Sequence, residues 1–436
     1  MTAPSPPSPF PPSSPARPPR SSPVAAPDAD AAPGPAVGRT AAETPHAAQP
    51  LIRVDDDPAA LPRDQWNALL AASPWPSPFM KLEYLEAMQA SGSAVASKGW
   101  QAQFLSVWEG DTLIAACPAY LKGHSYGEYV FDWAWADAYE RHGLPYYPKL
   151  LVAVPFTPVP GSRLLARDDA ARAWLVKALR ALTARSELSS VHVLFGDEQD
   201  QRALTGDDWL ARQQVQFHWT GDGQPRAFAD YLATLQREKR KKIQQERRKV
   251  AEAGIRFETL RGAAITAADW DFFYECYTLT YLAHRNKPYL TRDFFARMAT
   301  DMPAHWLMFV ARDDQGERVA ASLVAIDESQ RAAYGRYWGS TRYIPHLHFD
   351  ACYYQPLAWC LENGWRRFEG GAQGEHKMAR GLMPVATHSA HWLAHPQFRE
   401  AVADFLQREG QAMDEYIDEL ERHQPFKAAP ELERPD

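Results

Sequence analysis

Apolar residues recur along this chain with two periods, one near two and one near three and a half, and together they mark out its elements. The stretch Trp100 to Lys122 reads as a β-hairpin: FLSVW, a turn at Glu109-Gly110-Asp111, then TLIAACPAYL. The second half repeats this grammar with WLMFVAR, a turn at Asp313-Asp314-Gln315-Gly316, and RVAASLVAI. Ile114-Ala-Ala-Cys matches Val319-Ala-Ala-Ser in pattern and place, which points to an internal duplication. Helical spacing of Ala171, Trp174, Leu175, Ala178, Leu179 and Leu182 predicts a helix over 170–186. The strand VHVLF, a helix near 199–211 and the strand VQFHW follow. In the second half, helices over 267–283 and 292–300 precede the hairpin. After it come the strand AAYGRYWG, a helix over 349–363 that stops at Asn363-Gly364, and the strand WRRFEGG. A long helix over 228–252, ended by Gly254, joins the halves, and a last amphipathic helix runs over 397–422. Mixed helices and mostly antiparallel strands, appearing twice, predict an α+β protein of two lobes. The boundaries read as a first lobe over 51–227, a basic connecting helix over 228–253, a second lobe over 254–396, and a C-terminal helix and tail over 397–436.

Composition changes this picture at the N-terminus. Fifteen of the 36 prolines fall within the first 50 residues, in a tract with no Leu or Ile and one aromatic, Phe10. Such a segment cannot offset its ordering entropy by burial, so residues 1–50 read as a disordered Pro/Ala/Ser-rich arm. The head lacks a basic region followed by an apolar one, and no run of 18 apolar residues occurs, so neither a secretory signal nor a transmembrane helix is expected. Cys117, Cys276, Cys352 and Cys360 form no CxxC pair, which suits a reducing cytoplasm. The net charge of −7 hides an asymmetry. Residues 237–249 carry eight Lys/Arg against two Glu, a local +6, so the rest of the chain carries −13. Arg237 to Lys249 is an exposed basic helix on this reading, with Glu246 pairing across a turn.

Several standard sites are excluded. GGAQGEHK lacks the Gly-Lys-Ser/Thr of a phosphate loop, no GxGxxG opens a helix after a strand, and no GxSxG or HExxH occurs. His388, His391 and His395 have ligand-like spacing, but they lie in a strand-like run where 388 and 391 face opposite ways, so no metal site is expected.

Four polar-aromatic stretches carry a more specific signal: 120–143 (YLKGHSYGEYVFDWAWADAYERHG), 146–164, 334–355 (YGRYWGSTRYIPHLHFDACYYQ) and 369–392 (EGGAQGEHKMARGLMPVATHSAHW). With the basic segment and the duplication, they closely resemble the bacterial FemAB-like family, named for peptidoglycan biosynthesis/recognition, of the GNAT acyltransferase superfamily. The resemblance covers residues 64–426. It implies two GNAT-like lobes and kinship with Fem aminoacyltransferases, which move an amino acid from aminoacyl-tRNA to a cell-wall precursor amine. The order of hairpin 306–327, AAYGRYWG, helix and WRRFEGG fits GNAT topology. One departure stands out. The coenzyme A loop, Arg/Gln-x-x-Gly-x-Gly/Ala, is absent at 339–349, and the literal match Arg367-x-x-Gly370-x-Ala372 sits on the following strand.

Acyl transfer to an amine needs a base, donors for an oxyanion and cations for an anionic carrier. The glycine-rich run from Glu369 to Gly381 supplies each type: Glu375, His376 and Lys377 as catalytic candidates, Lys377 and Arg380 as phosphate clamps. Arg336, Lys241 and Lys242 are further donor-binding candidates. Substrate-binding candidates are His124, Tyr126, Glu128, Asp132, Trp133, Trp135 and Asp137, whose alternation of polar and aromatic types continues to Tyr139. Tyr337, Trp338, His348, Asp350 and Glu369 join them from the second half. The expected function is an acyl- or aminoacyltransferase acting by direct attack in a ternary complex. Acyl-CoA or aminoacyl-tRNA would be the co-substrate and no cofactor would be permanently bound. The partners would be an amine acceptor, in the cell-wall precursor class, and tRNA, with no DNA. Two rival readings stand beside it: a non-catalytic glycan-recognition protein using the aromatic stretches, and an RNA-binding protein using the basic helix.

Overall fold

Both predicted hairpins form, but the first is divided between two sheets. The computed structural model describes residues 49–206, 208–371 and 374–427. All but the last two residues of the predicted arm over 1–50, and the end of the predicted tail, lie outside the described residues. Strands β1 (Leu51–Asp55), β2 (Trp100–Ala102), β3 (Phe104–Glu109), β4 (Thr112–Cys117), β5 (Ala119–Lys122), β6 (Lys149–Val152), β7 (Leu165–Ala166), β8 (Ser190–Gly196) and β9 (Leu210–Thr220) come from the first half. The second half gives β10 (Arg256–Arg261), β11 (Trp306–Arg312), β12 (Arg318–Asp327), β13 (Ala332–Ser340), β14 (Arg367–Glu369) and β15 (Met383–Leu393). One sheet has the order β1-β3-β4-β7. The other runs β10-β11-β12-β13-β14-β9-β15-β8-β6-β5-β2. Pro118, which has no N–H to give, stands where β4 leaves the first sheet and β5 enters the second.

The large sheet reads similarly from either end. Each half contributes one parallel pair, β13 with β14 and β6 with β8, among antiparallel neighbours. The halves are also interleaved. β9, from the first half, lies between β14 and β15, and β15 lies between β9 and β8. The sheet is therefore continuous, and its middle cannot be assigned to either half alone.

Helices cover both faces. Ala267–Ala283 starts at a capping box made by Thr266 and Asp269, and Asp168 caps Asp169–Arg185 through the N–H of Ala171. Trp270, Phe273 and Tyr277 of the first helix belong to one buried cluster, which also holds Trp66, Phe79 and Phe294. Tyr354, Leu357 and Leu361 belong to a second cluster, on the other face, with Phe217, Ile243 and Phe368. The helix predicted over 349–363 spans 347–362 and includes a π turn at Asp350–Tyr354. The single helix read over 228–252 is two, Phe228–Thr234 and Arg237–Glu252. Leu235 between them is extended and fully buried. Burying Leu235 is what the apolar spacing of one straight helix does not accommodate. The region predicted as helix near 199–211 is a short helix, Glu198–Ala203, followed by the start of β9.

Gly339 of β13 allows the closest approach in this packing. A Cβ there would stand 2.0 Å from the carbonyl oxygen of Cys276 on helix Ala267–Ala283. Gly339→Ala is expected to push helix and strand apart and to cost about 1–3 kcal/mol, read as a lowered melting temperature.

Candidate active site

β13 and β14 run side by side for three residue pairs, Ala332 with Arg367, Ala333 with Phe368 and Tyr334 with Glu369. They then part. β13 continues to Ser340, while the other chain turns away through Gly370 and Gly371. The parting coincides with a β-bulge. Leu323 of β12 faces Tyr337 and Val324 faces Gly335, which leaves Arg336 as the extra residue. The result is a notch through the sheet with a cavity on each face. The cavity of about 160 Å³ lies toward helix 347–362 and is lined by Ser322, His348, Cys352, Tyr353, Gly370 and Gly371. The other, about 330 Å³, lies toward helix Ala267–Ala283 and is lined by Tyr277, Thr280, Tyr281, His284 and Asn286. Arg336, Tyr337 and Trp338 line both. Near the β6–β8 parallel pair of the first half, the buried guanidinium of Arg163 donates to the carbonyls of Leu194 and Gly161, each at 3.1 Å, and to that of Val159.

The predicted catalytic run forms a turn of 3₁₀ helix, Glu375–Arg380, beside the smaller cavity. Ala372 and Gln373 lie outside the described residues. Lys377 is buried and donates from Nζ to the carbonyl of Gly371 at 2.7 Å. Burial lowers its pKa to about 8, so it is cationic at neutral pH with two N–H groups unspent on that bond. His376 Nε2 lies 3.2 Å from the hydroxyl of Tyr353. Burial, then the charges of Arg380 and Lys377, hold its pKa below the usual histidine value. His348 faces Trp338 across 5.0 Å, and burial with the neighbouring His376, Arg380 and Lys377 brings it down to about 4, so it is neutral.

Two residues of this run point elsewhere. Glu375 is exposed on the outer side and accepts a 2.5 Å hydrogen bond from Tyr416 of the C-terminal helix. Arg380 is buried and spent on protein partners. Its Nη2 lies 3.2 Å from Glu246 and its Nη1 donates to the carbonyl of His376 at 2.6 Å, while the guanidinium stacks 3.8 Å from the Phe349 ring. Glu246 thus turns inward, against the expected pairing across its own helix, because it shares the apolar stripe of Ile243 and Val250. Lys241 and Lys242 are exposed, Lys241 opposite the buried stripe and Lys242 at its flank. Asp350 is buried, accepts from Gln355 at 2.9 Å and lies 3.6 Å from Arg247. It does not act as an N-cap, since the chain is already helical from Leu347. Arg336 Nη2 donates to the Phe156 carbonyl at 2.9 Å and approaches the Tyr337 hydroxyl at 3.1 Å. Glu369 is buried at the apex of the notch.

The first-half candidates separate into two groups. Glu128 and Asp132 are interior, joined to Lys149. Its Nζ donates to Glu128 at 2.8 Å, to Ser125 at 2.8 Å and to Asp132. Burial raises Glu128 to about 7. Asp132 is held well below the carboxylate range by Lys149 and His192, although burial works the other way. Trp135 packs inside against His391 and His192. These residues make a buried polar core around Lys149, in which Glu128 Oε1 and His391 Nε2 have no hydrogen-bond partner among the described residues. His124, Tyr126, Trp133 and Asp137 are at the surface, with Tyr126 and Trp133 edge to face at 5.0 Å. Sequence reasoning passes over Lys149, whose signal is a lysine opening the apolar strand KLLV. His391 meets His192, Nδ1 to Nδ1 at 2.7 Å, and His395 precedes the C-terminal helix. Among the described residues no three His, Cys, Asp or Glu converge as a metal site. No described helix is long and apolar enough to cross a membrane.

A parallel pair that parts at a bulge, with a cavity on each face, sits in an α+β fold of mixed, mostly antiparallel sheet that resembles tandem GNAT folds. The chain belongs to the FemAB-like family, described as peptidoglycan biosynthesis/recognition, whose profile matches residues 58–428. Among solved structures it is similar to L-PGS from Bacillus licheniformis (11% identity, 79% of this chain and 97% of that one, TM-score 0.49). It is also similar to FemX (9% identity, 79% and 98%, TM-score 0.48) and to a tandem GNAT protein from the clavulanic acid biosynthesis pathway (12% identity, 80% and 99%, TM-score 0.40). No curated protein matches it in sequence.

Proposed function

We propose that this protein is an N-acyltransferase or aminoacyltransferase that moves an acyl group from an activated carrier to an amine, with peptidoglycan precursors as the acceptor class. The observation that carries the reading is the shared rim of the two cavities. A donor carbonyl held from the side of helix 347–362 and an amine entering from the side of Ala267–Ala283 meet at Arg336–Trp338. That geometry supports direct attack. A cysteine intermediate has little support: Cys117, Cys276 and Cys360 are buried, and burial pushes the Cys352 thiol far above neutral pH. Lys377 adds a positive charge behind Gly371, close to where charge develops on the donor carbonyl.

The basic helix favours aminoacyl-tRNA over acyl-CoA as donor. Helix Arg237–Glu252 is tied through Glu246 and Arg247 to Tyr354 and Asp350 of helix 347–362 and to Arg380 of the Glu375–Arg380 turn, the two elements that flank the donor-side cavity. Its outward face keeps Arg237, Lys241, Lys242 and Lys249 exposed. A row of cations about 20 Å long suits a phosphate backbone better than one diphosphate. Lys241→Glu with Lys242→Glu is expected to weaken tRNA binding. The slope of log affinity against log salt should fall by roughly one for each phosphate deprived of its cation, with acetyl-CoA use unchanged. Filter binding across a salt series reads the slope, and an acetyl-transfer assay the rest. The function itself is tested by native mass spectrometry with acetyl-CoA and with aminoacylated tRNA, followed by label transfer to an amine. Saturable glycan binding with no turnover from either donor would instead support the recognition reading, for which the exposed Tyr126–Trp133 pair is the favouring observation.

A further inference from the structure

Arg336 is the residue left over at the β-bulge, and it lines both cavities. Its hydrogen bonds go to neutral oxygens, from Nη2 to the Phe156 carbonyl at 2.9 Å, the Thr157 hydroxyl at 3.2 Å and the Tyr337 hydroxyl at 3.1 Å. The rings of Phe79 and Tyr337 flank the guanidinium at 5.1 and 5.0 Å. Tyr84 and Tyr129 also face it, and burial holds both of their hydroxyls protonated. Nε is buried with no hydrogen-bond partner among the described residues. No Asp or Glu lines either cavity. Neighbouring arginines, by contrast, are answered by acids. Arg367 lies 3.1 Å from Glu369, Arg380 lies 3.2 Å from Glu246, and Arg163 has the charges of Asp200 and Asp197 close by. A guanidinium drawn away from water without an anion is costly, so Arg336 marks a position that a ligand completes.

We infer that Arg336 binds a carboxylate of the acceptor, borne on the same carbon as the amine that is acylated, an assignment that rests on the acyl-transfer reading. The anion is a carboxylate and not a phosphate because the acceptor-side cavity has no second lysine or arginine to share the charge. It arrives with the acceptor because the donor side has a cation of its own, Lys377 behind Gly371. The acceptor-side cavity of about 330 Å³ has roughly twice the room that holds one benzene ring, enough for an amino-acid unit. Tyr277, Tyr281, Tyr337 and Trp338 give it aromatic walls for a carbon chain, and Thr280 and Asn286 polar ones. An amine beside a carboxylate fixed at the shared rim is itself held at that rim, where the donor carbonyl arrives. The N-terminal amine of a peptide, whose neighbouring carboxyl is an amide, lacks the anchor. In the step, the N–C bond forms at the donor carbonyl carbon, and the bond from that carbon to the carrier's oxygen or sulfur breaks. The carrier keeps the electron pair and takes one proton, and the other proton lost by the ammonium goes to solvent.

The test compares alanine with alaninamide as acceptors, with acetyl-CoA and bulk aminoacylated tRNA as donors in separate arms. Alaninamide keeps the amine and the shape but lacks the charge. Its amine is also less basic, so more of it is free at neutral pH and intrinsic chemistry favours it. Wild type is nonetheless expected to prefer alanine by roughly 10–10²-fold in kcat/KM, the worth of hydrogen bonds to a charged group, with the difference mainly in KM. In Arg336→Gln the ratio of the two kcat/KM values should collapse to one or below, and Arg336→Lys should restore part of it. A change in overall rate divides out of that ratio. A wild type without the preference, or a ratio that Arg336→Gln leaves standing, overturns the assignment. Loss of folding in Arg336→Gln, seen by circular dichroism, moves the decision to calorimetry on wild type without donor. Alanine displaced by propionate and not by propionamide supports the carboxylate site, and displacement by both or by neither overturns it. A wild type that transfers from neither donor overturns the acyl-transfer reading, and the same calorimetry then decides the carboxylate site by itself.

Discussion

Glu246→Ala is expected to destabilise the protein by about 3–5 kcal/mol, measured as a lowered denaturant midpoint. Glu246 and Arg380 are both buried, with side-chain exposures of 6% and 3%, and the hydroxyl of Tyr354 donates to the same carboxylate oxygen. Removing the carboxylate leaves the guanidinium in the interior with the carbonyl of His376 as its remaining hydrogen-bond acceptor, and its charge uncompensated. That cost exceeds the worth of the pair itself. Replacing both partners with apolar residues, Glu246→Leu with Arg380→Met, should recover most of the loss, because neither charge then needs solvation. Tyr354→Phe keeps the pair and should cost about 1 kcal/mol. The ion pair also fixes the basic helix to the Glu375–Arg380 turn, so Glu246→Ala should impair tRNA binding at temperatures where the chain is still folded.

Lys377→Met should lower the transfer rate by about 10²–10³-fold, a loss of about 2.7–4 kcal/mol of transition-state stabilisation. Stability should move little or improve. A buried lysine with its pKa lowered to about 8 penalises the folded state wherever it is charged. The unfolded lysine keeps its proton to higher pH, so wild-type stability rises as pH climbs from about 8 toward the unfolded value of about 10.4. The methionine variant lacks that rise, and its stability relative to wild type is greatest below pH 8. Activity loss in a protein that melts no earlier separates catalysis from folding. The pH profile gives a second signature. An activity that needs the charged lysine falls above pH 8, and Lys377→Met should abolish that alkaline limb.

Much of the fold is legible in the sequence because it rests on local period. Ala267–Ala283 carries its own capping box and the β11–β12 hairpin its own turn, so both fall where spacing places them. The run from Arg63 to Ala90 gives no such signal. Its two short helices are defined by what they pack on, Trp66 donating to the carbonyl of Met80, more than by a long amphipathic pattern. The site is half legible. A glycine-rich run with Lys377 and the aromatic strand Gly335–Trp338 announces chemistry, but sequence does not say which way a charged side chain turns. Glu375 faces the C-terminal helix and Glu369 the interior, six residues apart in one run. Glu246 holds a usable clue, its position three residues from Ile243 and four from Val250 on the buried stripe.

The interleaving of β9 and β15 also constrains the order in which this chain is made. A ribosome delivers β8 and β9 long before β15, which is the antiparallel neighbour of both. Until residues 383–393 appear, those strands present open edges that invite pairing with other chains. The pairing that closes the sheet spans nearly two hundred residues, and such long-range association forms slowly. Nascent copies are therefore exposed to misassembly while the residues between β9 and β15 are being made, and a chaperone that shields strand edges meets its need during translation more than after it.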